Sequence, residues 1–206
     1  MLESPDTAMQ NQAKAMLISK YRQRKEYENA QELLQSLPDE PPSNKKQIQA
    51  QLYLETENLE AAARLMEEQL LTSTNDIHQA LLTLMEIALK ENWIEDAEYI
   101  AMVSQKGTKI FDLWEYNSYV AHFQLYATTK KRTKCLQVLM PMLKSLTQPW
   151  NINESPLYRH IEAKAESQDF GRKMKQTILK SLATDEETAF LRTDEEFHRL
   201  IKDIDK

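Results

Sequence analysis

The chain is poor in the residues from which irregular loops and catalytic turns are built. Its 206 residues include only 2 glycines. A phosphate-cradling Gly-rich loop or a strained nucleophile turn needs more than that, so both chemistries are excluded at the outset. There is one cysteine, Cys135, which excludes an intramolecular disulfide framework and fits a reducing compartment. Alternating runs of β-branched residues, the signal for strands, are missing. No apolar stretch approaches the length that spans a bilayer. The first ten residues, "MLESPDTAMQ", have neither the basic nor the apolar region of a signal peptide. What remains is rich in Leu, Ala, Gln, Glu, Lys and Met, all good helix formers. The expectation is an all-α, cytoplasmic protein without membrane contact.

The formal net charge is −6. A nucleic-acid binder gains its affinity by neutralising phosphates with a basic face, so direct nucleic-acid binding by this chain is not expected. The local basic clusters at 20–25, 130–134 and 172–175 read as solvated charge.

A pattern recurs along the chain. In "KEYENAQELL" an aromatic, an acid and a polar residue precede the small Ala30. Related stretches are "NLEAAARLM" at 58–66, "WIEDAEYIA" at 93–101 and, most loosely, "KRTKCLQVL" at 131–139. The small anchors are Ala30, Ala62, Ala97 and Cys135, spaced 32, 35 and 38 residues apart, which suits a helix pair plus two turns. A small residue lets two antiparallel helices approach closely. The residue three before each anchor is Tyr27, Leu59, Ile94 and Arg132, and the one nine before is Tyr21, Tyr53, Ala88 and Tyr126.

The spacing predicts first helices over 7–23, 44–56, 76–91 and 112–129. Partner helices follow over 27–37, 59–71, 94–106 and 132–146. Breaks are expected at 38–44, at "TSTND" (72–76) and at Gly107–Thr108. Pro141 should kink the last partner helix or mark a change of axis. After residue 150 a short helix is expected from Leu157 and a longer one over 169–183. Capping boxes are expected at Thr184-x-x-Glu187 and Thr193-x-x-Glu196, the second opening a charged final helix.

This pattern resembles the tetratricopeptide repeat, with Pro42 at the position of that family's closing proline. The family's usual glycines are replaced in the first helices by Ile18, Ala50, Met85 and Phe123. The resemblance implies a right-handed superhelix of antiparallel helix pairs over residues 1–149, with C-terminal capping helices over 150–206. The stretches "FDLWEYNSYVAHFQLY" (111–126), "SPLYRHIEAK" (155–164) and "AFLRTDEEFHRLI" (189–201) together resemble the C-terminal sensor or dimerisation region of XRE-type helix-turn-helix transcriptional regulators. The chain leaves no room for the DNA-binding domain of such proteins before its first repeat helix. It is therefore expected to be the sensor part of a longer regulator, or a stand-alone relative.

Side chains that could carry chemistry are few. His78, His122, His160 and His198 show no metal-ligand spacing, and neither a cofactor nor a metal is implied. Cys135 reads as a packed anchor, or as a thiol with a pKa lowered by Lys131, Arg132 and Lys134. Acid pairs such as Glu67–Glu68 read as exposed helix faces. Catalysis is not expected.

Binding is. In stacked helix pairs the first helices line the concave surface, and residues seven apart share a face. Eleven and eighteen residues before the anchors stand Ser19 with Gln12, Gln51 with Asn44, Glu86 with Gln79, and Gln124 with Asn117. Such amides can donate to and accept from an extended peptide backbone. Arg22 could serve a peptide carboxylate. Phe111, Trp114, Tyr116, Tyr119, Phe123 and Tyr126 form an aromatic helix that is mostly core, with Tyr116 expected exposed as a wall beside Asn117. The expected function is a non-catalytic module holding a peptide or protein partner through Asn44, Gln51, Gln79, Glu86, Tyr116, Asn117 and Gln124. The alternative is a structural homodimerisation module.

Overall fold

The computed structural model describes residues 7–39, 44–162 and 168–202. Among them there are α-helices, short 3-10 segments and no strands. The helices are α1 (Thr7–Gln23), α2 (Tyr27–Gln35), α3 (Lys45–Glu55), α4 (Leu59–Lys90), α5 (Ile94–Ile110), α6 (Asn117–Thr128), α7 (Arg132–Ser145), α8 (Gln168–Thr184) and α9 (Glu195–Lys202). None is long and apolar enough to cross a membrane among the described residues.

The four anchors are fully or nearly fully buried: Ala30, Ala62, Ala97 and Cys135. Each sits in the first turn of a helix that begins three residues earlier, at Tyr27, Leu59, Ile94 and Arg132. The turn that delivers the chain into each helix is the same four times. The residue five before the anchor adopts left-handed backbone: Lys25, Glu57, Asn92 and Lys130, with φ of 60°, 59°, 59° and 53°. The next residue's N–H reaches back to the carbonyl nine before the anchor. These bonds run from Glu26 to Tyr21, Asn58 to Tyr53, Trp93 to Ala88 and Lys131 to Tyr126, at 2.8–2.9 Å. This is the six-to-one closure of a Schellman-type C-cap, which glycine ordinarily serves. The fourth copy, weakest in sequence, closes like the others. The αL residue is what turns the chain back, and the buried anchor lets the returning helix lie close.

Two compact units divide the chain within α4: Met1–Thr72 with Tyr158–Ile161, and Ser73–Leu157 with Glu162–Lys206. In the first unit α1 packs on α2 and α2 on α3. Its core holds Ile18, Ala30, Leu34, Leu37 and Leu52, flanked by Tyr21, Tyr27 and Ile48. Gln31 and Gln49 exchange reciprocal amide hydrogen bonds of 3.2 and 3.0 Å between α2 and α3. The backbone N–H of His160 donates to Glu67 Oε2 at 2.6 Å, and its Nδ1 lies 2.7 Å from Oε1. Glu67 is thus a mostly covered contact rather than an exposed helix-face acid.

In the second unit α5 packs on α6 and α6 on α7. One core cluster joins Met85, Ala88, Ala97, Ala101, Ala121 and Leu125. The larger one joins Cys135, Leu139 and Leu143 of α7 with Leu179 and Leu182 of α8, Leu191, and Phe197 of α9. Gly171 permits the approach of α8 to the end of α7. A Cβ there would fall 1.9 Å from the carbonyl oxygen of Leu146.

Several expected boundaries are corrected. The break at 72–76 does not exist, and α4 runs unbroken through "TSTND". That stretch is polar but has neither Gly nor Pro, so each residue costs the helix only tenths of a kcal/mol. The Thr72 hydroxyl turns inward to the Glu68 carbonyl at 2.9 Å, and Thr74 is buried. α5 likewise continues through Gly107, whereas α7, Arg132–Ser145, holds Pro141 inside it as expected. α6 begins at Asn117 because Asp112, also left-handed at φ 48°, closes α5 through the Leu113 N–H to Thr108 carbonyl bond.

No helix forms from Leu157; a 3-10 turn occupies Ile152–Glu154 and residues 155–160 are turns and bends. Helix α8 spans the region expected at 169–183. Thr184 ends that helix, its hydroxyl donating to the Lys180 and Ser181 carbonyls, so it caps nothing downstream. A 3-10 segment, Glu186–Leu191, follows. The cap of α9 is Asp194, whose Oδ1 accepts from the Glu196 N–H at 2.9 Å, one residue later than Thr193. Pro42 lies outside the described residues.

Candidate functional site

Two grooves, one in each unit, gather most of the residues the repeat register singles out. The first has a volume of about 580 Å³ and is lined from α1 and α3, with Asn44 just before α3. Five carboxamides face it: Asn11, Gln12, Asn44, Gln47 and Gln51. Ala8, Met9, Ala15, Leu37 and Ile48 supply its apolar surface, and among the described residues no ionisable side chain lines it. Gln47 and Gln51 are four apart on α3 and so share a face.

The orientation of the Gln51 amide is fixed by Arg22. Its Oε1 accepts from Arg22 Nη1 at 2.6 Å. The same guanidinium clamps Glu55 through Nε at 3.0 Å and Nη2 at 2.6 Å. Arg22 is therefore committed to Glu55 and Gln51 rather than free to receive a peptide carboxylate. Its hydrogen bond holds the Glu55 carboxyl below the ordinary Glu value. The Gln51 carbonyl thus spends one of its two lone pairs on Arg22.

The second groove has a volume of about 590 Å³. Met85, Glu86, Leu89 and Lys90 of α4 form one side, and Tyr116, Val120, Phe123, Gln124, Ala127 and Thr128 another. Met142 of α7 is joined by Ile178, Ser181 and Leu182 of α8, and by Asp185, Glu187 and Thr188 beyond it. Lys90 Nζ pairs with Glu86 at 2.6 Å, and the Ser181 hydroxyl donates to Asp185 Oδ2 at 2.5 Å.

The seven predicted contact residues are thus divided. Asn44 and Gln51 line the first groove, and Glu86, Tyr116 and Gln124 the second. Gln79 and Asn117 line neither. Gln79 is exposed on α4, and Asn117 is the half-buried first residue of α6.

Tyr116 is not the exposed wall expected of it. It is half-buried against the larger core cluster, 5.2 Å from the Trp114 ring, and burial raises its phenol pKa. Of the other aromatics of that stretch, Trp114, Tyr119, Phe123 and Tyr126 pack on the same core, while Phe111 caps the end of α5.

Asn11 and Gln47 were legible in principle, one beside Gln12 and one a helical turn from Gln51. The α8 and 3-10 residues of the second groove carry no such signal, because they reach it only through the packing of α8 on α7.

Three titratable groups outside the two grooves are perturbed by burial. His78 is buried with Nδ1 3.1 Å from the Ser104 hydroxyl, and burial holds its pKa below the ordinary value. Burial does the same to His122. Burial pushes the Cys135 thiol up to about 12, so the nearby basic residues do not activate it. Among the described residues no group of three or more His, Cys, Asp or Glu side chains could hold a metal. Comparison with protein-family models, curated proteins and solved structures finds no match to this chain.

Proposed function

We propose that this chain is a non-catalytic, tetratricopeptide-like interaction module that holds an extended peptide or partner segment. The observation that carries this is the first groove: five carboxamides over an apolar surface, with no charge among them. Carboxamides both donate and accept, so they can track a peptide main chain while leaving side chains to apolar contacts. Four equivalent turns with buried small anchors support the tetratricopeptide-like reading. A role as the sensor region of a transcriptional regulator rests on the resemblance of residues 111–126, 155–164 and 189–201 to such proteins.

The test is to select peptides on the full chain from an unbiased display library and measure their binding by calorimetry. Replacing Gln12, Gln47 and Gln51 together with Ala should weaken the selected peptide at least tenfold, with helicity unchanged. N-methylation of the peptide backbone should do the same. Unchanged affinity in both would overturn the reading.

Self-association is the second reading, and a specific feature favours it. Ile77, Leu84 and Ile87 on α4 are 54%, 52% and 48% exposed and recur at helical spacing along one face. Sedimentation across a concentration series separates the two, since a strict monomer excludes a dimerisation module.

A further inference from the structure

We propose that the second groove docks a partner-protein segment in which apolar side chains stand next to a lysine or arginine. The floor is apolar: Leu89, Val120, Phe123, Met142, Ile178 and Leu182 line it. Among the described residues the ionisable groups around it are unbalanced, with Glu86, Asp185 and Glu187 against Lys90. Lys90 is already held by Glu86 at 2.6 Å, which leaves the Asp185–Glu187 side as the acidic rim. Both acids are exposed, on the 3-10 connection after α8.

An apolar floor supplies non-directional affinity, and an acidic rim selects the sign of the charge beside it. The volume of about 590 Å³ is in the range of clefts that bury a cluster of side chains. Among the described residues the carboxamide groove carries no ionisable lining group, so the two grooves ask for different ligands. This site stands or falls independently of backbone capture in the first unit.

The test uses the full chain and a short fluorescein-labelled amphipathic peptide of leucine and lysine, followed by anisotropy. Two counterparts have every leucine replaced by serine, or every lysine by glutamate. The Leu–Lys peptide binds and neither counterpart does. Glu187→Lys weakens binding about tenfold, while Lys90→Glu, which frees Glu86 and adds an acid, strengthens it about threefold. Opposite signs from two exposed residues of one groove are not what a general loss of structure produces. Glu60→Lys, an exposed acid outside the groove, leaves binding unchanged.

The proposal is overturned if the Leu–Lys peptide fails to bind or either counterpart binds equally well. It is also overturned if Glu187→Lys and Lys90→Glu do not shift affinity in opposite directions, or if Glu60→Lys costs as much as Glu187→Lys. A dimer abolished by Glu187→Lys would assign the groove to a second copy of the chain and overturn it as well.

Discussion

In the first unit, residues eleven and eighteen before an anchor converge: Gln12 from α1 meets Asn44 and Gln51 at α3 in one carboxamide-lined groove. In the second unit only the residues eleven before the anchor do so, Glu86 and Gln124, and they share their groove with α8 and the acidic 3-10 connection. The same sequence positions thus serve two chemistries. The difference comes from what packs against the helix pairs. The second unit carries α8 and the 3-10 connection after it, which add apolar floor and acidic rim, while Asn117, the first residue of α6, does not line the groove. A repeat register fixes which residues face alike, whereas the neighbouring elements decide what they face.

The strongest way to break this comparison is to loosen what α8 and α9 contribute. Phe197 is fully buried in the larger core cluster of the second unit. Phe197→Ala should cost about 3–5 kcal/mol in denaturant unfolding. At concentrations where the chain stays folded, it should impair the second groove while sparing peptide capture in the first. Equal loss in both grooves would show that they are not separable.

Gly171→Ala should be the next largest. The added methyl meets backbone, the Leu146 carbonyl oxygen, which cannot swing aside, so α8 must move at a cost of about 1–3 kcal/mol. Gly107→Ala is its control. A Cβ there meets nothing within 4 Å on an α-helical backbone, and the change should stabilise by about 0.5–1 kcal/mol. A destabilising Gly107→Ala would contradict the continuous α5.

Acid should separate the units by pH window. His78 has a folded pKa below its ordinary 6.5, so the unfolded chain takes up the proton first. Its contribution is complete above about 6.5 and is lost as pH falls through the lowered folded value. His122 acts in the same direction. In the first unit Glu55 is held below its ordinary 4.5, chiefly by the Arg22 hydrogen bond. Its contribution persists above that value and is lost only as pH drops through the lowered one. Thermal melts of the full chain across this range should show loss in the second unit beginning at higher pH, with His78→Asn reducing that first loss. An unchanged profile in His78→Asn would remove His78 as its source.

The smallest effects test what the two units share. Lys25→Gly in the first and Lys130→Gly in the second should each stabilise by about 0.5–1 kcal/mol, because both residues hold left-handed backbone. Unequal melting shifts would show that the two turns are not equivalent.

Much of the scaffold was legible because it rests on short-range rules. Helix starts at Tyr27, Leu59, Ile94 and Arg132 follow from anchor spacing, and burial of Ala30, Ala62, Ala97 and Cys135 follows from the same register. Where reading failed, polarity stood in for a helix break. "TSTND" and Gly107–Thr108 carry turn-type residues without the left-handed backbone or proline that would end a helix, and hydroxyls bonding one turn back absorb them. Conversely, the left-handed positions include Lys25, Glu57 and Lys130, residues that announce no turn, beside Asn92 and Asp112, which are of turn-favouring types.

The sequence by itself determined the helical class, the four helix starts and the burial of the anchors, since each depends on residues within a few turns of one another. Only the tertiary structure decided that Arg22 is committed to Glu55 and Gln51, that Tyr116 is half-buried, and that Asp185 and Glu187 rim a groove begun by Glu86. Those contacts join residues tens of positions apart. They are set by how closely helices can approach, as at Gly171 against Leu146, which no local pattern encodes.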